Sequence, residues 1–244
     1  MSKNNKKDLF DHLDDCTPKS AQGSICKLKV SKLKPTQNGV GMDEIAVKKQ
    51  KLAKKSKNLQ KLKDYLIQRA IPIIIGNDGK FYLIDHHHLA FSVWEELGDI
   101  YLPVEVIKNW SDIEGYSFWK AMRENNWLYP FSGSGSGPLP PNKLKEHVKD
   151  LENDIFRSLS WVVRQKYGYV KSPANAIFAE FKWGNFYRSR IIFNMQMKKN
   201  IDIKDLKLKD IKDDDEEDYK KLVELAMYLS TSKEAQGLPG YRGN

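Results

Sequence analysis

Four consecutive polar residues, Asp85-His86-His87-His88, are the part of the sequence best suited to chemistry. They follow an apolar run, Lys80-Phe81-Tyr82-Leu83-Ile84, and precede a helical pattern with Leu89, Val93, Trp94 and Leu97 on one face and Gly98 as its stop. At a helix start the first backbone N–H groups lack partners within the helix, and the dipole favours negative charge. Imidazoles beside such a start can donate to phosphate oxygens or move protons near neutral pH. Asp85 can cap the helix, orient a histidine, or hold a divalent ion alongside a phosphate. Three readings compete: an anion or phosphate site, a metal site, and a structural arrangement with one histidine capping the helix and another in the core. Consecutive histidines on a loop rarely all reach one ion, and no carboxylate at fixed spacing accompanies them, so no metal ligand set is assigned.

The elements that must position this loop are local in their signals. Ile71-Pro72-Ile73-Ile74-Ile75 reads as a strand, Gly76-Asn77-Asp78-Gly79 as a tight turn, and residues 80–84 as the return strand. Before them, Cys26 to Leu33 alternates apolar and basic residues, as a half-exposed strand does, and Lys34 to Gly39 has turn chemistry. Asp43 is a plausible N-cap for one helix over residues 44–69, with Ile45, Leu52, Leu59, Leu62 and Leu66 near helical spacing. The lysines at 48, 49, 51, 54, 55, 57, 61 and 63 could bind phosphate or form that helix's solvated face. Glu44 is a candidate general base or a helix-capping charge. After the loop come a strand over 101–107 and a helix over 111–126. Helices are predicted at 142–150, 154–167, 174–194 and 218–229. The acidic run at 213–218 reads as a solvated loop with helix N-terminal charges.

Phe178, Phe181, Trp183, Phe186 and Tyr187 could stack a base or pack a core. Residues 1–25 read as a flexible arm, 26–131 as an α/β domain, 132–141 as a Gly/Ser/Pro linker and 142–244 as a mainly α-helical module. The 244-residue chain is 40% hydrophobic and 11% aromatic, which excludes a wholly disordered protein. Its 41 basic and 32 acidic residues give +9, which suits an anionic partner or a solvated basic surface. With two cysteines, Cys16 and Cys26, a disulfide scaffold is not expected, and reduced thiols and a single clip both remain open. No apolar run spans a membrane and the start shows no secretory signal, so a cytoplasmic location is expected; a signal already removed would look the same. The oligomeric state is not readable.

The stretch from Leu33-Lys34-Pro35-Thr36-Gln37 through Val40-Gly41-Met42-Asp43-Glu44, the hairpin, Asp85-His86-His87-His88-Leu89-Ala90 and the strand at 101–107 together resemble the ParB/sulfiredoxin superfamily. The resemblance is closest to its putative ParB-like nuclease branch. It continues through Leu139-Pro140, Asp154-Ile155-Phe156-Arg157-Ser158-Leu159, Phe178 to Trp183 with Arg188, and Leu238-Pro239-Gly240-Tyr241. It implies a small mixed α/β (α+β) sheet with helices, followed by the helical module, and a strand-to-helix loop that binds phosphates of a nucleotide (ATP, ADP or CTP) or of nucleic acid. Phosphoryl-group chemistry would follow, as nuclease action or as nucleotide hydrolysis or transfer, with Mg²⁺ bridging phosphate oxygens. The catalytic set is then Asp85, His86, His87, His88 and Glu44. The phosphate-binding set is Gln37, His87, His88, Leu89, Arg157 and Ser158. His86 replaces the usual Gly, and Leu89 stands where Arg is common, which removes a bidentate clamp. Arg157 could supply it from the second module, or pair with Asp154. The branch's fold could also persist as a non-catalytic module that binds nucleotide, nucleic acid or protein. A DNA-reading helix-turn-helix has no convincing counterpart.

Overall fold

The computed structural model describes residues 8–171, 178–197 and 216–243. The chain packs as two compact units, Met1–Val40 with Glu44–Glu152 and Gly41–Asp43 with Asn153–Asn244. The division falls at residues 152 and 153, and residues 132–141 lie inside the first unit.

The first unit holds a five-stranded mixed sheet, the architecture expected. In chain order its strands are β1 (Ile25–Lys29), β2 (Leu33–Pro35), β4 (Ile71–Ile75), β5 (Phe81–Leu83) and β6 (Tyr101–Asn109); β3 (Gly39–Val40) stands apart. Their order across the sheet is β1-β6-β4-β5-β2. The predicted strand at 26–33 is therefore two strands on opposite edges, parted by a 3₁₀ turn at Val30–Lys32. Flat, five strands would hold their outer members about 19 Å apart. The four Cα steps from Lys29 to Leu33 reach at most about 15 Å. The sheet must curl until its edges approach.

Helices α1 (Met42–Lys55) and α2 (Leu59–Ile67) replace the single helix expected over 44–69. Asn58 ends the continuity, because its side chain accepts the Lys61 N–H at 3.0 Å and caps α2. Asp43 lies inside α1 instead of capping it. Central strand β4 is almost wholly buried, as its isoleucine run requires. The hairpin to β5 pairs Ile73 with Leu83 and Ile75 with Phe81. Gly79 at φ 70° supplies the turn's left-handed residue. Helix α3 (His87–Leu97) follows, buries Leu89, Ala90, Phe91 and Val93, and ends at Gly98. Helix α4 (Gly115–Glu124) sets Phe118 and Met122 against Ile74 and Tyr82.

Residues 8–24 are not loose. Phe10 is fully buried, Cys16 and Cys26 form a disulfide, and Gly23 and Ser24 exchange backbone hydrogen bonds with Val106. The Gly/Ser stretch is a folded loop: Ser132 N–H donates to the Ser136 carbonyl, and Gly133 N–H to the Glu152 carboxylate at 2.6 Å. Residues 142–150 form two 3₁₀ turns, Pro141–Lys143 and Val148–Asp150, in place of a helix. Their backbone is claimed elsewhere, Lys145 N–H by the Asn38 side chain and the Glu146 carbonyl by Lys34.

In the second unit, after β7 (Glu152–Asn153), helices α5 (Ile155–Gln165), α6 (Ala179–Met197) and α7 (Glu216–Ser230) enclose a core. Trp183 stacks on Tyr169 at 4.4 Å between centroids, beside Phe156, Tyr187 and Leu229. Such a pair contributes about 0.5–1.5 kcal/mol beyond its burial. Phe181, Trp183 and Tyr187 are thus core residues. Residues 174–177 of the predicted third helix and 213–215 of the acidic run lie outside the described residues. Among the described residues, no helix is long and apolar enough to cross a membrane.

Candidate functional site

The junction from β5 to α3 turns on His86. Its backbone is left-handed, at φ 65° and ψ 22°. That conformation costs a residue with a Cβ about 1 kcal/mol or more, and glycine avoids the cost. The position is where the resembling family usually has glycine. The twist is held by Asp85, whose carboxylate accepts the His86 N–H at 2.6 Å, and by the His86 carbonyl, which accepts the first helical bond from Ala90 at 2.9 Å. Asp85 itself is exposed at the rim.

The three histidines then diverge. His86 is half-buried; burial is the largest influence on its pKa and lowers it, Asp85 raises it, and Lys48 and Arg69 lower it further. His87 points inward and is 2% exposed. Its Nε2 accepts the backbone N–H of Thr36 at 3.1 Å, so the ring is neutral with its proton on Nδ1. Burial, then the neighbouring His88 and His86, hold its pKa well below the ordinary value. Thr36 is fixed further by its hydroxyl, which donates to the Leu83 carbonyl at 2.8 Å. His88 reaches α1, where its Nε2 lies 3.8 Å from Glu44 Oε2. Lys48 Nζ approaches the same carboxylate at 3.3 Å, one helical turn on. The Glu44 and His88 side chains are 15% and 11% exposed.

The structure therefore gathers Glu44, Asp85, His86 and His88 around the start of α3, with His87 behind them. Gln37 is near the Thr36 anchor but turned inward: it is buried, and its side-chain amide donates to the Gly39 carbonyl at 2.8 Å. The Leu89 side chain is in the core, which leaves only its backbone N–H in the helix's first turn. Arg157 and Ser158 belong to the second unit. Arg157 is buried with its guanidinium 5.5 Å from the Phe181 ring centroid. Ser158 accepts the Asp43 N–H at 3.3 Å. Asp154 caps α5 through the Arg157 N–H and pairs with Arg188 at 2.7 Å.

Sequence reasoning missed Thr36 and Arg69, and it placed Lys48 only among the phosphate-binding or solvated lysines of α1. Lys48 was readable as the i+4 partner of Glu44. Thr36 carries no local signal, because it meets His87 across 51 residues. Among the described residues, no three of His, Cys, Asp or Glu gather to hold a metal ion.

A family model described as "Putative ParB-like nuclease" matches residues 26–189. No curated protein matches the chain. Among solved structures, the chain is similar to protein Atu1540 from Agrobacterium tumefaciens, with 27% identity and a TM-score of 0.71 over 91% of this chain and 99% of that one.

Proposed function

The chain belongs to the putative ParB-like nuclease family, and from that premise we propose that it binds a phosphate of a nucleic acid or nucleotide at the start of α3 and hydrolyses a phosphoryl bond there. One observation carries the reading: the largely buried Glu44–His88 pair, 3.8 Å apart, lies beside a helix N-terminus. A phosphate oxygen would rest on the first-turn amides, where the helix dipole favours negative charge. His88 would take a proton from the attacking water as its oxygen bonds to phosphorus. Glu44 would stabilise the imidazolium so formed. The P–O bond to the leaving group breaks, and its oxygen takes up a proton. Lys48 holds Glu44 in place.

Asp85, exposed at the rim, would share a Mg²⁺ ion with the phosphate oxygens. A single carboxylate suits that ion, which keeps most of its ligands as water and phosphate. His87 has a different part, because its ring is committed to Thr36. It fixes residues 36–38 against α3. His86 and Asp85 shape the loop's entrance.

The test is an assay of the full chain against single- and double-stranded DNA, RNA, ATP, ADP and CTP, with and without Mg²⁺. Cleavage of at least one substrate is expected, and Glu44→Gln or His88→Ala should lower its rate about 100-fold or more. Wild-type rates in both variants would refute the assignment. Binding without any turnover would leave a non-catalytic module.

A further inference from the structure

Between α1 and α2 lies a cleft of about 250 Å³, lined by Lys51, Lys55, Lys61, Arg69, Asp64 and Tyr65, among others. Three of its cations crowd one ring. Lys51 Nζ and Lys55 Nζ each lie 5.1 Å from the Tyr65 centroid, and the Arg69 guanidinium 4.3 Å. Tyr65 is itself buried, so its ring is the floor and not a stacking platform. The single acid, Asp64, accepts a hydrogen bond from Gln60 at 2.6 Å. Among the described residues none of the four cations has a carboxylate within ion-pair distance. By contrast, Lys48 and Lys49 on the same helix pair with Glu44 and Glu95.

Ordinary helix physics accounts for Lys55 but not for Lys51 or Lys61. Lys55 sits in the last turn of α1, where the dipole favours a cation. Lys51 and Lys55 are four residues apart on one helix, a repulsive like-charge spacing. Lys61 occupies the third position of α2 after its Asn58 cap, where an acid would be favoured by both the dipole and a capping box. The first turn of α2 has no acidic residue at all. The cleft concentrates positive charge against local preference, and an anion would relieve it. Helix α1 connects the two places, since it carries Glu44 and Lys48 beside the α3 loop and Lys51 and Lys55 in the cleft lining.

We infer that the α1–α2 cleft is a second phosphate subsite, which takes a backbone phosphate of a nucleic-acid strand whose reacting phosphate lies at the start of α3. This rests on the function proposed above and narrows its substrate class. A mononucleotide held at α3 leaves the cleft charges unanswered, whereas a strand can engage both places.

The experiment uses the full chain and a fluorescently labelled single-stranded oligonucleotide, titrated over a range of NaCl concentrations. Lys51→Glu/Lys61→Glu is compared with Lys32→Glu/Lys149→Glu, which makes the same change in net charge at exposed lysines outside the cleft. The cleft variant should bind about tenfold or more weakly, with the slope of log affinity against log salt reduced by about 1. The control should keep most of both. Because Lys61→Glu removes a charge that α2 disfavours, thermal unfolding should show no loss of stability, so weaker binding would not be a folding defect. Equal behaviour of the two double variants overturns the inference. The two readings fail separately. If Glu44→Gln and His88→Ala retain full turnover while the cleft variant still binds weakly, the cleft stands and the catalytic assignment falls. If ATP binds as tightly as the oligonucleotide and neither responds to Lys51→Glu/Lys61→Glu, the strand is excluded.

Discussion

Two lysine-lined cavities of similar size lie in the first unit, and they treat charge in opposite ways. The α1–α2 cleft of about 250 Å³ gathers four cations around one acid. The other, about 310 Å³, has Lys34, Lys80 and Lys145 in its lining, beside Trp119 and Tyr82. There each lysine has its own acid: Lys34 meets Glu146 at 2.7 Å, Lys80 meets Asp78 at 3.1 Å and Lys145 meets Glu152 at 2.5 Å. The hydrogen bond from Lys34 holds the Glu146 carboxyl below its usual range. Burial pushes the Asp78 carboxyl up, but its bonds from Lys80 and Tyr82 outweigh that and leave it lowered. The lesson is that a count of lysines does not identify a site. The positions left without acidic partners do, as Lys51, Lys55, Lys61 and Arg69 are in the α1–α2 cleft.

The largest expected effect contrasts the α3 loop with the paired cavity. Glu44→Gln or His88→Ala should cost about 100-fold or more in turnover. Lys80→Gln should leave turnover within about twofold, as a surface ion pair far from reacting atoms would. An equal loss at both places, in a steady-state assay of the same substrate, would erase the distinction.

Next in size is strand binding. The Lys51→Glu/Lys61→Glu variant should lose about tenfold or more in affinity, and Lys34→Gln/Lys80→Gln much less, because those lysines already neutralise acids and displace few counterions from a strand. Fluorescence anisotropy at a fixed salt concentration decides between them.

A third effect concerns His87, the satisfied member of the α3 loop. Its folded pKa lies below the ordinary 6.5 because of burial. In the interval between the folded value and 6.5, the unfolded chain binds more protons than the folded one. Stability is therefore complete above about 6.5 and is lost as pH falls toward the folded value. His86, also lowered chiefly by burial, adds to the same trend. Thermal unfolding measured from about pH 7.5 down to about pH 5 should show a falling Tm. His87→Gln keeps an acceptor for the Thr36 N–H and should flatten that fall. A pH-independent Tm in the parent protein would contradict the buried, neutral ring.

The smallest effect is a difference of sign. Lys61→Glu should stabilise α2 by about 0.3–1 kcal/mol, through the dipole and a capping box. Lys80→Gln should destabilise by about 0–1 kcal/mol, since its ion pair is partly exposed. Chemical denaturation of the two variants side by side measures both.

Much of the fold was legible from residues close in sequence. The hairpin over 71–84 and the Gly98 stop of α3 each rest on a local signal, and the mixed α+β sheet is what the family resemblance implies. What was not legible depended on partners far along the chain. The alternation at 26–33 gave no hint that its halves join opposite edges of the sheet. The helical composition of 142–150 was overridden by bonds to Lys34 and Asn38, more than a hundred residues earlier. Asn58, a good cap in the middle of an apparently continuous helix, was a local signal that went unused. In the candidate site the position of the loop was readable, but the division of labour among its histidines was not. His87 is taken by Thr36, and His88 meets Glu44 only because α1 lies beside α3. Gln37 and Leu89 had plausible placements in the chain, yet their side chains turn into the protein.

On this reading one phosphate-bearing strand meets the start of α3 and the α1–α2 cleft together. Its most direct test is an NMR titration of the full chain with a short, non-hydrolysable single-stranded oligonucleotide, following the backbone amides of His87, His88 and Leu89, the three imidazoles, and the Lys51 and Lys61 signals. The amides, the His86 and His88 rings and both lysines should shift with one common affinity, while the His87 ring keeps its Nδ1 proton. Saturation of the oligonucleotide with the first-turn amides of α3 unmoved would contradict it.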